Sequence, residues 1–265
     1  MSKRILIALV LLVSVIVAGC GPRRSSNSIT VAGSTSVQPV AELMAERFSK
    51  KGSEIQVNVQ GGGSSAGITA VINGTADIGT SSRELQREEE EGIEKYEVAR
   101  DGIVVVVNPK NSVLDLSKEQ VRDIFSGKIR NWSQLGGKDQ KILVVVREEG
   151  SGTRGAFEEI VMAPEKLAID SIVQGSTGAV RQTVSSDPAA IGFISMASIS
   201  SEVKAVKVDG ARPDTESILS GAYKLSRPFY FLTKGEPQGA IKDFIDYALG
   251  EEGKAVAKEA GLVTN

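Results

Sequence analysis

Two runs of five consecutive apolar residues, at positions 103–107 and 142–146, constrain the fold most. A strand with one face in water alternates apolar and polar residues. A strand that is apolar throughout is buried on both faces, as in sheets covered by helices on both sides. Shorter extended segments at 29–32, 56–60, 77–79, 191–195, 203–208 and 228–233 are separated by segments of helical period. Residues 37–51 place Val37, Val40, Met44 and Phe48 on one stripe. Ser117-Lys118-Glu119-Gln120 reads as a capping box ahead of Val121, Ile124 and Phe125. Further helices are expected at 66–73, 155–162, 177–186, 239–249 and 253–260, with an acidic surface helix at 84–95 whose residues 88–91 form a solvated face. Strand and helix alternate throughout, which argues for α/β layers with mainly parallel strands. There is no internal repeat and no low-complexity linker, so two lobes would be joined by strands.

Ligands of open α/β sheets bind at the carboxyl ends of strands. Four small-residue runs follow predicted strands there: Gly33-Ser34-Thr35-Ser36, Gly61-Gly62-Gly63-Ser64-Ser65, Thr80-Ser81-Ser82-Arg83 and Arg147-Glu148-Glu149-Gly150-Ser151-Gly152-Thr153-Arg154. Each can open a helix and offer hydroxyls and unobstructed backbone N–H groups. A helix N-terminus is a ready-made anion site. Several converging on one point would enclose a small tetrahedral oxyanion. Arg147 can grip two oxygens at once. Gly150 and Gly152 allow close backbone approach, while Ser151 and Thr153 add donors. Lys is missing at the place a P-loop requires it. Ser176 and Thr177 are candidate extra donors at the start of a later helix.

The chain has 31 basic and 33 acidic residues and no His, and its one Cys is Cys20. That leaves little for a hydrolase, which would want His, a metal cluster or an activated nucleophile. No cofactor, metal site or catalytic residue is expected. Lys3 and Arg4 precede an apolar run at 5–17, too short for a comfortable membrane span of about 20 residues. Without Lys3 and Arg4 the 29 remaining basic residues face 33 acidic ones, a net charge of −4. Nucleic acid is therefore not an expected partner, and attraction for an anion must be local. Residues 21–28 read as a flexible tether.

Val17-Ala18-Gly19-Cys20 resembles the bacterial lipoprotein signal, which implies a signal peptide at 1–20 and a lipid anchor on Cys20. The mature chain resembles the substrate-binding proteins of bacterial Pst phosphate ABC importers. The resemblance is carried by residues 32–39 (Ala-Gly-Ser-Thr-Ser-Val-Gln-Pro), 63–67 (Gly-Ser-Ser-Ala-Gly), 76–82 (Ala-Asp-Ile-Gly-Thr-Ser-Ser), 124–132, the Arg147 to Thr153 segment and 190–193 (Ala-Ile-Gly-Phe). It implies an α/β, two-lobed periplasmic-binding-protein-like fold of type II with the ligand in the interlobe cleft. The lobes would be 29–104 plus 229–265, and 105–228, with crossovers near 104–108 and 225–230.

By the same resemblance the phosphate contacts fall on Thr35, Ser36, Ser64, Ser82, Arg147, Ser151, Gly152 and Thr153. Glu149 matches an acidic residue that orients the Arg. Ser82 stands where many relatives carry an Asp that accepts the proton of hydrogen phosphate. A Ser hydroxyl both donates and accepts, so it discriminates less sharply. The implied partners are inorganic phosphate, a membrane-embedded ABC permease and the membrane itself, for an extracytoplasmic monomer. Another oxyanion (sulfate, molybdate or phosphonate), or an adhesin or signalling receptor on the same fold, stays open.

Overall fold

The computed structural model describes residues 27–264 except Ser53. The signal segment, Cys20 and most of the tether lie outside the described residues. The chain opens as β1 (Ser28–Gly33), α1 (Gln38–Lys50), β2 (Gln56–Gly61), α2 (Ser64–Ile72) and β3 (Ile78–Ser81). The long β4 (Ile93–Val107) follows, then β5 (Asp115–Leu116), α3 (Lys118–Phe125), β6 (Leu143–Arg147) and α4 (Gly152–Phe157), which runs on as one π-helical stretch, Glu158–Met162. Next come β7 (Ile172–Gln174), α5 (Thr177–Ser186), β8 (Ala190–Ser195), β9 (Lys204–Ala205), β10 (Lys207–Val208) and α6 (Thr215–Leu219). The chain closes with β11 (Ser226–Lys234), α7 (Gly239–Leu249) and α8 (Glu251–Glu259).

One sheet runs through the described residues in the order β2-β1-β3-β11-β4-β8-β6-β7, with β9 also on β4. β4 is the seam. Its residues 93–102 pair with β11, and its residues 103–107 pair with β8. Both pairings are antiparallel, and so is that of β11 with β3. The outer pairs, β1 with β2 and β3 and β6 with β7 and β8, are parallel. The expectation of mainly parallel strands therefore holds for the outer strands and fails in the middle. There the chain passes from one half of the sheet to the other and returns on β11.

The apolar run of β4 is buried on both faces. Ile103, Val105 and Val107 pack with Phe125, Trp132, Phe157 and Phe193, whereas Val104 and Val106 pack with Val145, Val180, Val184 and Ile194. In the other half, Ile29, Val31, Phe229 and Phe231 bury against Val40, Met44 and Phe48 of α1 and Phe244 and Val256 of α7 and α8. Such burial removes about 25 cal/mol of unfavourable hydration per Å² of apolar surface. Tyr223 donates its hydroxyl to the Ile103 carbonyl (2.8 Å), tying down the point where β4 changes neighbours.

Two sequence expectations fail in these regions. The acidic segment 84–95 is not a helix: it holds a single 3-10 turn, Arg87–Glu89, and then enters β4. Its last residues pair with β11, Ile93 opposite Lys234, Glu94 opposite Thr233 and Lys95 opposite Leu232. Of its expected solvated face, Glu89 is instead bound by Arg83. The strand expected at 203–208 is divided, with β9 on β4 and β10 on β5. The capping box forms as read: Ser117 Oγ accepts from Gln120 N–H (3.0 Å) and Gln120 Oε1 accepts from Ser117 N–H (2.8 Å).

Candidate oxyanion site

Each sheet half delivers loops to one place. β1 ends at Gly33 and releases Ser34, Thr35 and Ser36 ahead of α1. β2 leads to Ser64, the first residue of α2, and β3 leads to Ser82. From the other half, β6 ends on Arg147 and passes through Gly150 and Ser151 into α4, while β7 leads to Ser176 and Thr177 at the start of α5. Three of the four small-residue runs open a helix. The fourth, Thr80 to Arg83, ends a strand and turns without one, so it brings no helix N-terminus to the site.

The hydroxyls meet. Ser34 Oγ lies 2.9 Å from Ser36 Oγ and donates to Ser82 Oγ at 2.9 Å. Ser82 Oγ is 3.4 Å from Ser64 Oγ, which accepts the Ser82 N–H at 3.1 Å. Across the cleft, Thr153 Oγ1 donates to Ser36 Oγ (3.4 Å), and Thr35 Oγ1 accepts the Thr177 N–H (3.2 Å). The backbone joins in, since Ser65 N–H donates to the Gly150 carbonyl at 3.1 Å. Ser34, Ser36, Ser64, Ser82, Ser151, Thr153 and Thr177 are all buried. Gly152 is required by this approach. A Cβ there would lie 2.2 Å from Ser64 Oγ and 2.6 Å from Ser82 Oγ.

Arg147 is buried against this cluster. Its Nη1 donates to Thr177 Oγ1 (3.0 Å), and its Nε and Nη2 form a fork on Glu148 at 2.9 and 2.7 Å. The orienting carboxylate is therefore Glu148 and not Glu149. The Glu149 side chain is 92% exposed and reaches only Arg154, at 4.0 Å. Residues 147 and 149 point to the same side in an extended chain, but the chain turns after Arg147, where Ser151 N–H bonds back to the Glu148 carbonyl. Thr177 joins the cluster, whereas Ser176 caps α5 by accepting the Ala179 N–H (3.1 Å). Ser151 likewise caps α4, accepting from Arg154 N–H (3.3 Å). Arg83 is turned away onto Glu89 and Ser65.

Sequence reasoning missed a second guanidinium. Arg227 on β11 and Asp101 on β4 are direct cross-strand partners, both buried, at 3.0 Å. Arg227 Nη2 also donates to Ser36 Oγ (3.2 Å) and Nη1 to the Ser82 carbonyl (3.1 Å). Asp101 accepts in addition from Ser195 Oγ (2.8 Å) and Met196 N–H (3.0 Å). Burial pushes the Asp101 carboxyl up from its ordinary value, against the pull of Arg227 and of those hydrogen bonds, and it pushes Arg227 down. Arg keeps its proton in proteins, so Asp101 faces a full positive charge at 3.0 Å. The signal in the sequence was one charge of each sign at the edge of an apolar run, Asp101 before 103–107 and Arg227 before 228–233.

Chemically the cluster is a cage of donors with two paired guanidiniums at its wall, which suits a small anion. A wide surface hollow of about 760 Å³ between α1 and α7–α8 does not suit one, because Asp243, Asp246, Glu251 and Glu252 border it against a single Lys51. Among the described residues no group of three or more His, Cys, Asp or Glu side chains could hold a metal ion.

An α/β sheet with a donor-lined cleft where its two halves meet is the architecture of a binding protein, and the comparisons agree. Residues 21–252 match the family model described as the PBP superfamily domain. The phosphate-binding protein PstS of Bacillus subtilis is 34% identical over 92% of this chain and 82% of its own. A Clostridium perfringens protein assigned as the substrate-binding protein of a phosphate ABC transporter, solved with bound phosphate, is 42% identical. It superposes with a TM-score of 0.88 over 90% of this chain and all of the other. An ABC-type phosphate transport receptor from Vibrio cholerae is 37% identical, with a TM-score of 0.74 over 89% of this chain and all of the other. The chain belongs to the PBP superfamily and, within it, to the family of PstS phosphate-binding proteins.

Proposed function

We propose that the protein binds inorganic phosphate in the cleft between its two sheet halves and delivers it to a membrane-embedded ABC permease. The carrying observation is the meeting of Ser36, Ser64, Ser82, Gly152 and Thr153 at one buried place, from loops distant in sequence, with Arg147 joined to the same loops through Thr177 and Thr35. Relatives named for phosphate binding supply the anion. Thr35, Ser36, Ser64, Ser82, Arg147, Ser151, Gly152 and Thr153 hold it, with Thr177 beside Arg147. Residues 29–104 plus 229–265 form one lobe and 105–228 the other, and the ligand favours closure by contacting both. The hydrogen bonds from Ser65 to Gly150 and from Thr177 to Thr35 are the kind of contact that closure makes.

The protein works outside the cytoplasm as a monomer, held to the membrane by lipid on Cys20, and performs no chemistry on its ligand. A lipid chain contributes about 0.8 kcal/mol per buried CH₂. Among the described residues no helix is long and apolar enough to cross a membrane. Titration calorimetry tests the reading. Phosphate should bind the purified protein at one site, and Arg147→Ala should abolish measurable binding while the fold persists. Binding by Arg147→Ala within a factor of two of the parent would remove Arg147 from the site.

A further inference from the structure

An arginine holds an anion best when its planar group is fixed before the anion arrives, because a mobile side chain loses rotamer freedom on binding. A guanidinium has five N–H donors. In Arg147, Nε and Nη2 give one each to the carboxylate of Glu148, at 2.9 and 2.7 Å, and Nη1 gives one to Thr177 Oγ1 at 3.0 Å. One hydrogen on Nη1 and one on Nη2 remain, and such a pair suits two oxygens of a tetrahedral anion. Their aim depends on what grips the other donors. The Glu148 side chain is 29% exposed against 2% for Arg147, so Glu148 can swing together with the guanidinium. Thr177 is buried at the first position of α5 and is itself held. Ser176 caps the helix by accepting the Ala179 N–H (3.1 Å). Gln174 lies in register with Arg147 across β6 and β7, and its carbonyl accepts the Glu148 N–H (3.2 Å). The Thr177 N–H is one of the donors a helix start leaves unsatisfied. It goes to Thr35 Oγ1 of the opposite half (3.2 Å).

We propose that Thr177 is a positioning residue for anion binding: its hydroxyl stops the swing of the Arg147 guanidinium and so aims the two remaining N–H groups into the cleft. The inference rests on the phosphate reading above, and it assigns Thr177 no contact of its own with the anion. Because the Thr177 N–H bond to Thr35 crosses the cleft, the same residue that aims Arg147 also joins the two halves. Deleting the hydroxyl leaves the charge of Arg147 in place. Association follows charge and encounter and is therefore spared. The guanidinium loses its fixed point, so the bound anion leaves sooner.

The test is phosphate affinity by calorimetry with association and dissociation rates by stopped flow. Thr177→Val removes the hydroxyl and keeps the shape, and Thr177→Ala removes it with a smaller side chain. Both should weaken phosphate binding by about tenfold, the worth of one hydrogen bond to a charged group, with the change in dissociation and association within about twofold of wild type. Thr177→Ser restores the hydroxyl and should restore the affinity. Thr177→Val combined with Glu148→Gln should depart from the product of the two single effects by more than about twofold, because both act on one guanidinium. Effects that multiply within that margin would overturn the proposal, since Thr177 would then act on the anion independently of Arg147. Unchanged dissociation in Thr177→Val and Thr177→Ala, with only the ligand-free melting temperature lowered, would overturn it as well. Failure of wild type to bind phosphate would instead overturn the reading of the site.

Discussion

Gly152→Ala isolates the close approach on which the site depends. The added Cβ would stand 2.2 Å from Ser64 Oγ, 2.6 Å from Ser82 Oγ and 3.0 Å from Ser64 Cβ, where ordinary contact begins near 3.4 Å. Rotating the hydroxyls away forfeits the Ser82 N–H bond to Ser64 and the Ser34 bond to Ser82. Rotation also leaves the Cβ–Cβ contact at 3.0 Å in place, so the loops must retreat by a few tenths of an ångström. Overpacking of this kind costs about 1–3 kcal/mol. The clashing partners sit on opposite sides of the cleft, so the cost falls on closure and appears as a loss of phosphate affinity of about 5- to 150-fold. Stability should not fall in step, because Ala is the better helix former at the start of α4. Calorimetry with phosphate, paired with thermal melts in its absence, separates the two effects. Affinity within twofold of wild type, or an equal loss of ligand-free stability, would refute the reasoning.

Three further outcomes are expected. Glu148→Ala leaves Arg147 Nη2 without its partner and Nε with only the Gln174 carbonyl at 3.3 Å, and should destabilise the protein by about 1–3 kcal/mol, whereas the exposed Glu149→Ala should leave the denaturant midpoint in place. Phe157 stacks on Phe193 at 4.1 Å and meets Phe125 edge-on at 4.8 Å, so Phe157→Ala should cost about 3–5 kcal/mol in urea unfolding. The hydrogen bond from Arg83 holds the Glu89 carboxyl below its usual 4.5; its stabilisation is present above that value and is lost as pH falls through the depressed one. Glu89→Gln should accordingly flatten the acid limb of a stability–pH curve.

The sequence was most legible where local chemistry decides the outcome. The β4 and β6 runs, the Ser117 capping box and the turn from Arg147 to Thr153 all carry their cause within a few residues. The failures share a different cause. Residues 84–95 look like exposed helix because they are acidic, yet the strand that begins at Ile93 is dictated by β11, more than a hundred residues away. Asp101 and Arg227 belong to no motif, and only the register of β4 against β11 brings them together beneath Ser36 and Ser82. Glu148 and Glu149 are adjacent and chemically identical, so choosing between them needed the turn that follows Arg147.

The most direct measurement is a crystal structure of the protein grown with phosphate. The account predicts one phosphate between the two sheet halves, with oxygens within hydrogen-bond distance of the Arg147 guanidinium, the hydroxyls of Ser64, Ser82 and Thr153, and the N–H groups of Gly152 and Thr153. Phosphate bound elsewhere, such as in the acidic hollow beside Tyr247, with this cluster making no contact to it, would contradict the account.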